Sequence, residues 1–234
     1  MQERHSRTAL LLGEKAPEVL KGKHVAVLGL GGVGSYLVEA LARAGVGTLT
    51  LIDCDTYSES NLNRQLYALP KTLGQKKTAV AAARVQEIDP DITVHTVDAF
   101  VLPETVPTLP LEGVDYIADA IDTVSAKIAL AVLAKEKGIR MICAMGAGNK
   151  TDPTAFRVAK IKSTRVCPLA RVMRTELARR GIHDLKVVYS EEEAQKPTKT
   201  DEISGKPIPG SCSFVPSVVG LIMAGEIIRD LLKE

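Results

Sequence analysis

A glycine-rich turn between an apolar run and a helical pattern constrains the fold of this chain more than any other stretch. The turn reads Gly29-Leu-Gly31-Gly32-Val-Gly34. It follows the short β-branched run 24–28, and residues 36–45 then repeat apolar side chains at helical spacing. A strand, a tight turn and a helix in this order predict a mononucleotide-binding unit, whose backbone amides face a phosphate at the helix N-terminus. The pattern leaves open which nucleotide is bound.

An acidic residue closes the next apolar run. Residues 49–52 predict a second strand, and Asp53 follows it roughly 20 residues beyond the turn, where folds of this kind hold a ribose hydroxyl. The turn, the helix and this acid together predict a nucleotide site much more strongly than the glycines do alone.

Predicted strands and helices keep alternating as far as residue 148. Further strands are predicted over 92–97, 115–122 and 140–144, and helices over 77–88 and 125–137. This alternation predicts an α/β fold with a doubly wound, mostly parallel, Rossmann-like sheet. Ligands of such sheets bind outside the carboxyl ends of the strands. We therefore expect one shared site at the residues that end strands, namely Asp53, Asp119, Asp122 and Gly146.

The 234 residues are expected to form one domain with four parts. These are an N-terminal arm (1–23), a nucleotide-binding core (24–148), a basic crossover segment (149–213) and a C-terminal helix (214–234). Within the arm, residues 10–20 predict a short helix interrupted by Pro17. Beyond residue 148 the alternation of strands and helices weakens.

Composition argues against several classes of protein. Aromatic residues make up 3% of the chain and Trp is absent, which argues against an aromatic platform for stacking nucleic-acid bases. Four cysteines without a C-x-x-C pair argue against a zinc ribbon and for a reducing compartment, the cytoplasm. The apolar run near the N-terminus is too short for a signal-peptide core, and that of the last helix is too short for a membrane span.

Positive charge is concentrated in one part of a nearly neutral chain. Residues 157–186 contain nine Lys or Arg and two acidic residues, a local charge of +7 (nine minus two). Residues 168–180 predict a helix with Leu169, Val172, Met173 and Leu177 as its apolar stripe and with Arg171, Arg174 and Arg179 facing outward. Two interpretations stay open at this point, a surface that binds a polyanion and a solvated basic face.

Five motifs in residues 24–148 resemble those of the ubiquitin-activating (E1-like, ThiF-type) adenylating enzymes. They are the glycine turn, Leu-Ile-Asp53-x-Asp55, Ser60-Asn61-Leu-Asn-Arg64-Gln65, Gly74-Gln-x-Lys77 and Asp119-x-x-Asp122. The segment Arg4-His-Ser-Arg7 is similar to the N-terminal arginine segment of the same family. An ordinary dehydrogenase does not require the basic residues of these motifs, so the combination is specific for the adenylating enzymes.

The resemblance implies ATP and Mg²⁺ as cofactors. The implied nucleotide-binding residues are Gly29, Gly31, Gly32, Gly34, Asp53, Asp55, Asn61, Arg64, Gln65, Lys77 and Asp122. Among them Asp53 would hold the ribose, Asn61, Arg64 and Lys77 the triphosphate, and Asp122 the magnesium ion. The implied catalytic residues are Arg64, Lys77, Asp122 and Arg7, and Arg7 would reach the site of the neighbouring subunit in a homodimer.

Two absences narrow the resemblance within the family. The chain lacks the paired C-x-x-C motifs with which bacterial sulfur-carrier activators hold zinc, and it has no room for a catalytic-cysteine domain. Residues 4–13 and 27–153 are most similar to the tRNA threonylcarbamoyladenosine dehydratase group. This resemblance implies a tRNA partner and leaves room for an accessory sulfur-relay protein. Independently of the family, the positive charge of residues 157–186 predicts a tRNA surface that includes Arg171, Arg174 and Arg179. No zinc is expected.

The implied reaction modifies adenosine 37 of tRNA. The carboxylate of its threonylcarbamoyl side chain is adenylated by ATP, and the neighbouring carbamoyl nitrogen then expels AMP and closes a ring. Because the second attack is intramolecular, no cysteine nucleophile is required. Three alternatives stay open: an activator of a ubiquitin-fold sulfur carrier, an NAD(P)-dependent oxidoreductase, and an inactive adaptor that keeps the nucleotide fold.

Overall fold

Seven strands form one sheet in the order β3-β2-β1-β4-β5-β7-β6 in a computed structural model that describes residues 3–200, 205 and 207–233. The strands are β1 (His24–Leu28), β2 (Thr48–Ile52), β3 (Thr93–Val97), β4 (Tyr116–Asp119), β5 (Arg140–Ala144), β6 (Phe156–Lys160) and β7 (Lys186–Ser190). The helices are α1 (Ser6–Leu12), α2 (Ala16–Lys21), α3 (Gly34–Ala44), α4 (Lys77–Ile88), α5 (Val124–Lys137), α6 (Pro168–Ala178) and α7 (Pro216–Leu231).

All neighbouring strands of the sheet pair in parallel except β6, which runs antiparallel to β7 at one edge. Successive side chains of β1 enter two different hydrophobic cores, because side chains alternate between the faces of a strand. Val25 and Val27 pack with residues of α3 and α7, whereas Ala26 and Leu28 pack with residues of α5 and α6. The predicted doubly wound, mostly parallel α/β fold is confirmed.

The N-terminal arm contains two short helices where the sequence predicted one helix interrupted at Pro17. α1 ends before Gly13, which has a φ of +104°, and Pro17 lies in the first turn of α2. The predicted position of the break is wrong, because a proline in the first helical turn removes an N–H group that has no intrahelical partner in any case.

The arm is tied to the body of the domain by polar contacts. The Arg4 guanidinium and the His5 ring contact the two carboxylate oxygens of Asp89, at 2.6 and 3.2 Å. The His5 ring also lies against Gly45, where a Cβ atom would come within 2.8 Å of it. These contacts fix the arm, while Leu10 and Leu11 of α1 stay more than 80% exposed.

The basic segment (residues 157–186) is part of the same sheet. It supplies most of β6, all of α6 and the first residue of β7, where the Lys186 ammonium contacts Glu226 and Asp230 of α7. Neither strand was predicted. Only Phe156 of the edge strand β6 is buried, so its sequence carries no alternating apolar pattern.

No described helix combines the length and the apolar character needed to cross a membrane.

Candidate active site

A cavity of about 640 Å³ opens at the carboxyl ends of β1, β2 and β4. Ten of the eleven predicted nucleotide-binding residues line it: Gly29, Gly31, Gly32, Asp53, Asp55, Asn61, Arg64, Gln65, Lys77 and Asp122. Residues that are distant in sequence meet there because the parallel strands all end at the same edge of the sheet.

The glycine turn needs the absence of a side chain at two positions. Gly29 has a φ of +86°, and a Cβ atom there would lie 2.7 Å from the carbonyl oxygen of Ala120. A Cβ atom on Gly34, the one predicted residue that does not line the cavity, would lie 1.7 Å from the carbonyl oxygen of Gly29. The turn therefore packs against the loop after β4 and against the start of α3, which leaves its open side to the cavity.

Asp53 holds the glycine turn and the chain that follows β2. Its Oδ2 accepts a hydrogen bond from the Leu30 amide at 2.7 Å, and its Oδ1 accepts one from the Asp55 amide at 2.8 Å. The sequence predicted this acid as a ribose ligand, but the contact with the turn was not predicted. Each carboxylate oxygen keeps a second lone pair for a ligand.

Lys77 is held inside the cavity by Asp55. Its ammonium lies 2.7 Å from Asp55 Oδ2, and the residue is only 5% exposed. Burial is the largest single influence and raises the pKa of Asp55, but the hydrogen bond and the charge of Lys77, together with the smaller contributions of Cys54 and Lys76, lower the net pKa. Lys77 is also the first residue of α4, so its charge adds to the positive end of that helix dipole. The result is a fixed positive site suited to phosphate oxygens.

Arg64 and Gln65 belong to a turn that follows the 3₁₀ helix Glu59–Asn61. Arg64 Nη1 donates to the Ser60 carbonyl at 2.8 Å and to Asn63 Oδ1 at 2.9 Å, so its guanidinium stays at the edge of the cavity. Gln65 is 7% exposed, and its buried Oε1 has no hydrogen-bond partner within the described part of the chain. This acceptor is free for a donor group of a ligand.

Asp122 differs from the other two carboxylates of the cavity. Asp53 binds backbone amides and Asp55 binds Lys77, whereas the exposed Asp122 side chain has no hydrogen bond or ion pair among residues 3–200, 205 and 207–233. Free carboxylate oxygens are the ligands that Mg²⁺ prefers. Asp53, Cys54 and Asp55 also place ligand atoms within 4.8 Å of one another, but an amide and an ammonium already occupy that cluster.

Two of the four residues expected at the shared site lie elsewhere. Asp119 is fully buried, where it accepts hydrogen bonds from Lys127 Nζ at 3.0 Å and from Cys143 Sγ at 2.8 Å. Gly146 is not part of the cavity lining either. The expectation is wrong for Asp119 because this residue still belongs to β4, and the chain reaches the cavity only at Ala120. It is wrong for Gly146 because this residue lies beside Cys167 and Leu169 at the start of α6.

Arg7 does not line the cavity of its own chain. It lies exposed on α1, in the arm that packs against Asp89 at the end of α4. A role for Arg7 in phosphate binding therefore requires the cavity of a second subunit.

The three arginines predicted to face outward on α6 differ in their surroundings. Arg171 is exposed, and Arg179 is exposed but paired with Glu176 at 2.7 Å. Arg174 is half-buried and donates to the Thr164 carbonyl and hydroxyl at 2.7 and 2.8 Å. The predicted apolar stripe is wrong at Val172, which is 47% exposed, because α6 buries the face formed by Ala170, Met173 and Leu177 instead.

The cavity lining also includes residues outside the predicted motifs. Phe100, which follows β3, lines the cavity and is 56% exposed. Pro209, Gly210 and Ser211 line it as well, although they are distant in sequence from the other lining residues. Their proline and glycine content signals a loop in the sequence, but nothing local indicates where that loop lies.

Comparisons with known proteins cover nearly the whole chain. The profile of the ThiF family matches residues 4–234. The tRNA threonylcarbamoyladenosine dehydratase of Bacillus subtilis is 42% identical, over 100% of this chain and 96% of that protein. The protein of the same name from Haemophilus influenzae is 35% identical, over 92% and 88%. The crystal structure of Escherichia coli tRNA N6-threonylcarbamoyladenosine dehydratase in complex with ATP matches with a TM-score of 0.90 at 33% identity, over 99% and 94%.

Proposed function

The chain belongs to the ThiF family, and from this membership we propose that it is an ATP-dependent dehydratase that adenylates and cyclises the threonylcarbamoyl group of N6-threonylcarbamoyladenosine in tRNA. The observation that carries the proposal is the cavity, which unites ten of the eleven expected nucleotide-binding residues in a chain that matches an ATP-bound dehydratase along 99% of its length.

Different residues of the cavity have different roles in adenylation. A carboxylate oxygen of the substrate attacks the α-phosphorus of ATP, and the bond to the β-phosphate oxygen breaks as pyrophosphate leaves. The amides of Gly31 and Gly32 face the phosphates, since the Gly29 and Leu30 amides already donate to Ile52 and Asp53. Asp53 accepts from the ribose hydroxyls. Arg64 and Lys77 stabilise the charge that grows on pyrophosphate, an effect that is large in a site that is already organised.

Asp122 is the residue that would hold Mg²⁺, since its carboxylate is the one in the described lining without a protein partner. Bound there, the ion would neutralise charge on the leaving phosphates. Asp53 and Asp55 shape the protein around this position through their contacts with the glycine turn and with Lys77.

Ring closure needs no nucleophile from the protein. The carbamoyl group belongs to the same side chain as the adenylated carboxyl group, so proximity alone gives the attack a large advantage. The positioning of the adenylate is therefore the main contribution of the protein to the second step.

An activator of a ubiquitin-fold sulfur carrier is the alternative from the same family. The match to the dehydratases favours the tRNA function, because it extends over the C-terminal third of the chain, which includes the basic segment. In this proposal Arg171 provides the main contact with tRNA phosphates, and Arg174 and Arg179 contribute less because they already bind Thr164 and Glu176. The reaction takes place in the cytoplasm, and an accessory sulfur-relay protein is a further partner.

The test is to measure AMP and pyrophosphate release with tRNA that carries threonylcarbamoyladenosine and with the same tRNA lacking it, and to identify the cyclised nucleoside by mass spectrometry. We expect release only with the modified tRNA. Release that depends on a protein with a C-terminal Gly-Gly tail, and not on tRNA, would establish the alternative.

We further propose a homodimer in which Arg7 acts in the partner's cavity. Its support is that Arg7 does not line its own cavity, whereas Leu10 and Leu11 on the same helix are highly exposed. Mixing inactive Arg7→Ala with inactive Asp122→Ala should restore about a quarter of the activity, because half the dimers are mixed and each has one intact site. Verified mixed dimers without activity would show that Arg7 does not act across the interface.

A further inference from the structure

Residues 209–211, here called the strap, lie at the nucleotide cavity although the chain reaches them only after β7. Pro209, Gly210 and Ser211 line the cavity together with Gly29 and Asp122. Two asparagines from other parts of the chain hold the strap in this place.

The first anchor is Asn149, in the loop after β5. Its backbone amide donates to the Gly210 carbonyl at 2.8 Å, and its side-chain Oδ1 accepts from the Gly210 amide at 2.6 Å. Asn149 has a φ of +59°, a left-handed conformation that asparagine tolerates better than most residues. The approach is close, since a Cβ atom on the preceding Gly148 would lie 3.1 Å from Pro209.

The second anchor is Asn63, in the turn that carries Arg64. Asn63 Nδ2 donates to the Ser211 carbonyl at 3.0 Å, while its Oδ1 accepts from Arg64 Nη1 at 2.9 Å. One amide side chain thus joins the strap to the guanidinium that the proposed function places on pyrophosphate. Neither Asn63 nor Asn149 lines the cavity.

We propose that Asn63 and Asn149 are positioning residues that hold the strap across the cavity, so that the acyl adenylate is consumed by ring closure and not by water. This inference rests on the proposed function. In ring closure the carbamoyl group bonds to the adenylated carbonyl carbon, the bond to the AMP oxygen breaks, and one proton is released. In hydrolysis a water oxygen bonds to the same carbon, and AMP and the original carboxylate are released.

Both reactions release one AMP, but only ring closure yields the cyclised nucleoside. The ratio of AMP to cyclised product therefore measures how well the strap excludes water, because a lid that seals a reactive intermediate suppresses its hydrolysis. A residue that merely stabilised the fold would lower both yields together and leave the ratio unchanged.

The test compares two variants that release the strap in different ways. Asn149→Gly keeps a residue suited to the left-handed conformation and removes the Oδ1 acceptor. Asn63→Asp keeps the acceptor for Arg64 and removes the donor to Ser211. The control is Thr151→Ala in the loop of Asn149, since the Thr151 side chain contacts Glu192 and not the strap. AMP, cyclised nucleoside, ATP affinity and hydrogen exchange of the Gly210 amide are measured for each full-length variant with modified tRNA.

We expect wild type and Thr151→Ala to form close to one AMP per cyclised nucleoside. Each strap variant should raise this ratio roughly two- to tenfold, the range that one lost hydrogen bond accounts for. ATP affinity should change less than the ratio does, and Asn149→Gly should accelerate exchange of the Gly210 amide.

An unchanged ratio in both variants, with faster Gly210 exchange in Asn149→Gly, would overturn the role of the strap in excluding water. Unchanged Gly210 exchange in Asn149→Gly would overturn the anchoring itself. Wild-type protein that forms no AMP with modified tRNA would instead refute the proposed function, so the two failures are distinguishable.

Discussion

Cations line the nucleotide cavity and also cover the basic segment, but the protein holds them in different ways. Lys77 is 5% exposed and ion-paired with Asp55, and Arg64 is held by a carbonyl and an amide oxygen. In the basic segment, Arg171 is exposed, and the Arg179 side chain, 70% exposed, pairs with Glu176 of α6. Cations that the protein holds in fixed places can stabilise a transition state, whereas exposed surface cations interact weakly and are screened by salt.

The basic segment itself contains both cations that are held by protein groups and cations that are exposed. Arg174 is hydrogen-bonded to Thr164, and Lys186 forms ion pairs with Glu226 and Asp230. Both residues therefore support the packing of α6 and β7. A local charge of +7 therefore overstates the number of cations that are available to a polyanion. Structural and free cations can be separated by substituting them one at a time.

The largest effect is expected at Lys77. Lys77→Ala should lower turnover by about 10²–10³, because the lysine stabilises charge that develops as pyrophosphate leaves, while ATP affinity falls less. Arg64→Ala should behave in the same way. The control is Lys76→Ala, since Lys76 is the adjacent residue, pairs with Asp98 at the surface and does not line the cavity. Steady-state kinetics and ATP titration measure both quantities.

An increase in KM with unchanged kcat in both cavity variants would contradict this prediction. Lys77 and Arg64 would then bind the ground state and the transition state equally, and holding these cations in fixed places would not contribute to catalysis.

A smaller effect is expected at Asp53, which tests the cavity without removing a cation. Asp53→Ala should weaken ATP binding about tenfold or more, since a hydrogen bond to a charged group is worth roughly 1.5–3 kcal/mol. Loss of the contact with the Leu30 amide should also loosen the glycine turn. Asp98→Ala is the matched control, an acid that follows β3 and is absent from the cavity lining. Unchanged ATP affinity in a folded Asp53→Ala variant would refute the ribose assignment.

The sequence predicts the parallel half of the sheet and most of the cavity because their signals are local. β1, β2, β4 and β5 are short and largely apolar, β3 shows an alternating pattern, and the carboxyl ends of parallel strands meet at one edge. The sequence alone therefore predicts that Asp53 and Asp122 lie at this edge, and both line the cavity.

The sequence does not reveal contacts that depend on distant parts of the chain. Asp53 is the first residue after β2, whereas Asp119 is still the last residue of β4 and binds Lys127 in the core. The strap reaches the cavity through asparagines that are 148 and 61 residues away. Helical period alone places Val172 and Arg174 only to within part of a turn, so it misjudged the burial of both.

The smallest effect is expected in the basic segment, at Arg171. If this residue contacts a tRNA phosphate, Arg171→Ala should lower the slope of log affinity against log salt by about 0.7–0.9, the value for one neutralised phosphate. The contribution of Arg171 to tRNA affinity should be nearly independent of the base sequence, since contacts with phosphates carry no sequence information. ATP affinity should stay unchanged, because Arg171 lies outside the cavity lining.

Arg174→Ala separates the two kinds of cation within α6. Because Arg174 is hydrogen-bonded to Thr164, the Arg174→Ala substitution should lower the free energy of unfolding by about 1.5–3 kcal/mol. It should change the slope of log tRNA affinity against log salt less than Arg171→Ala does. Arg43→Ala is the control for both, an arginine of α3 that pairs with Glu39 on the other face of the sheet. The measurements are tRNA affinity over a salt series, with unfolding and oligomeric state followed in parallel. Equal slopes for wild type, Arg171→Ala and Arg43→Ala would show that the exposed face of α6 is solvated and that tRNA binds elsewhere.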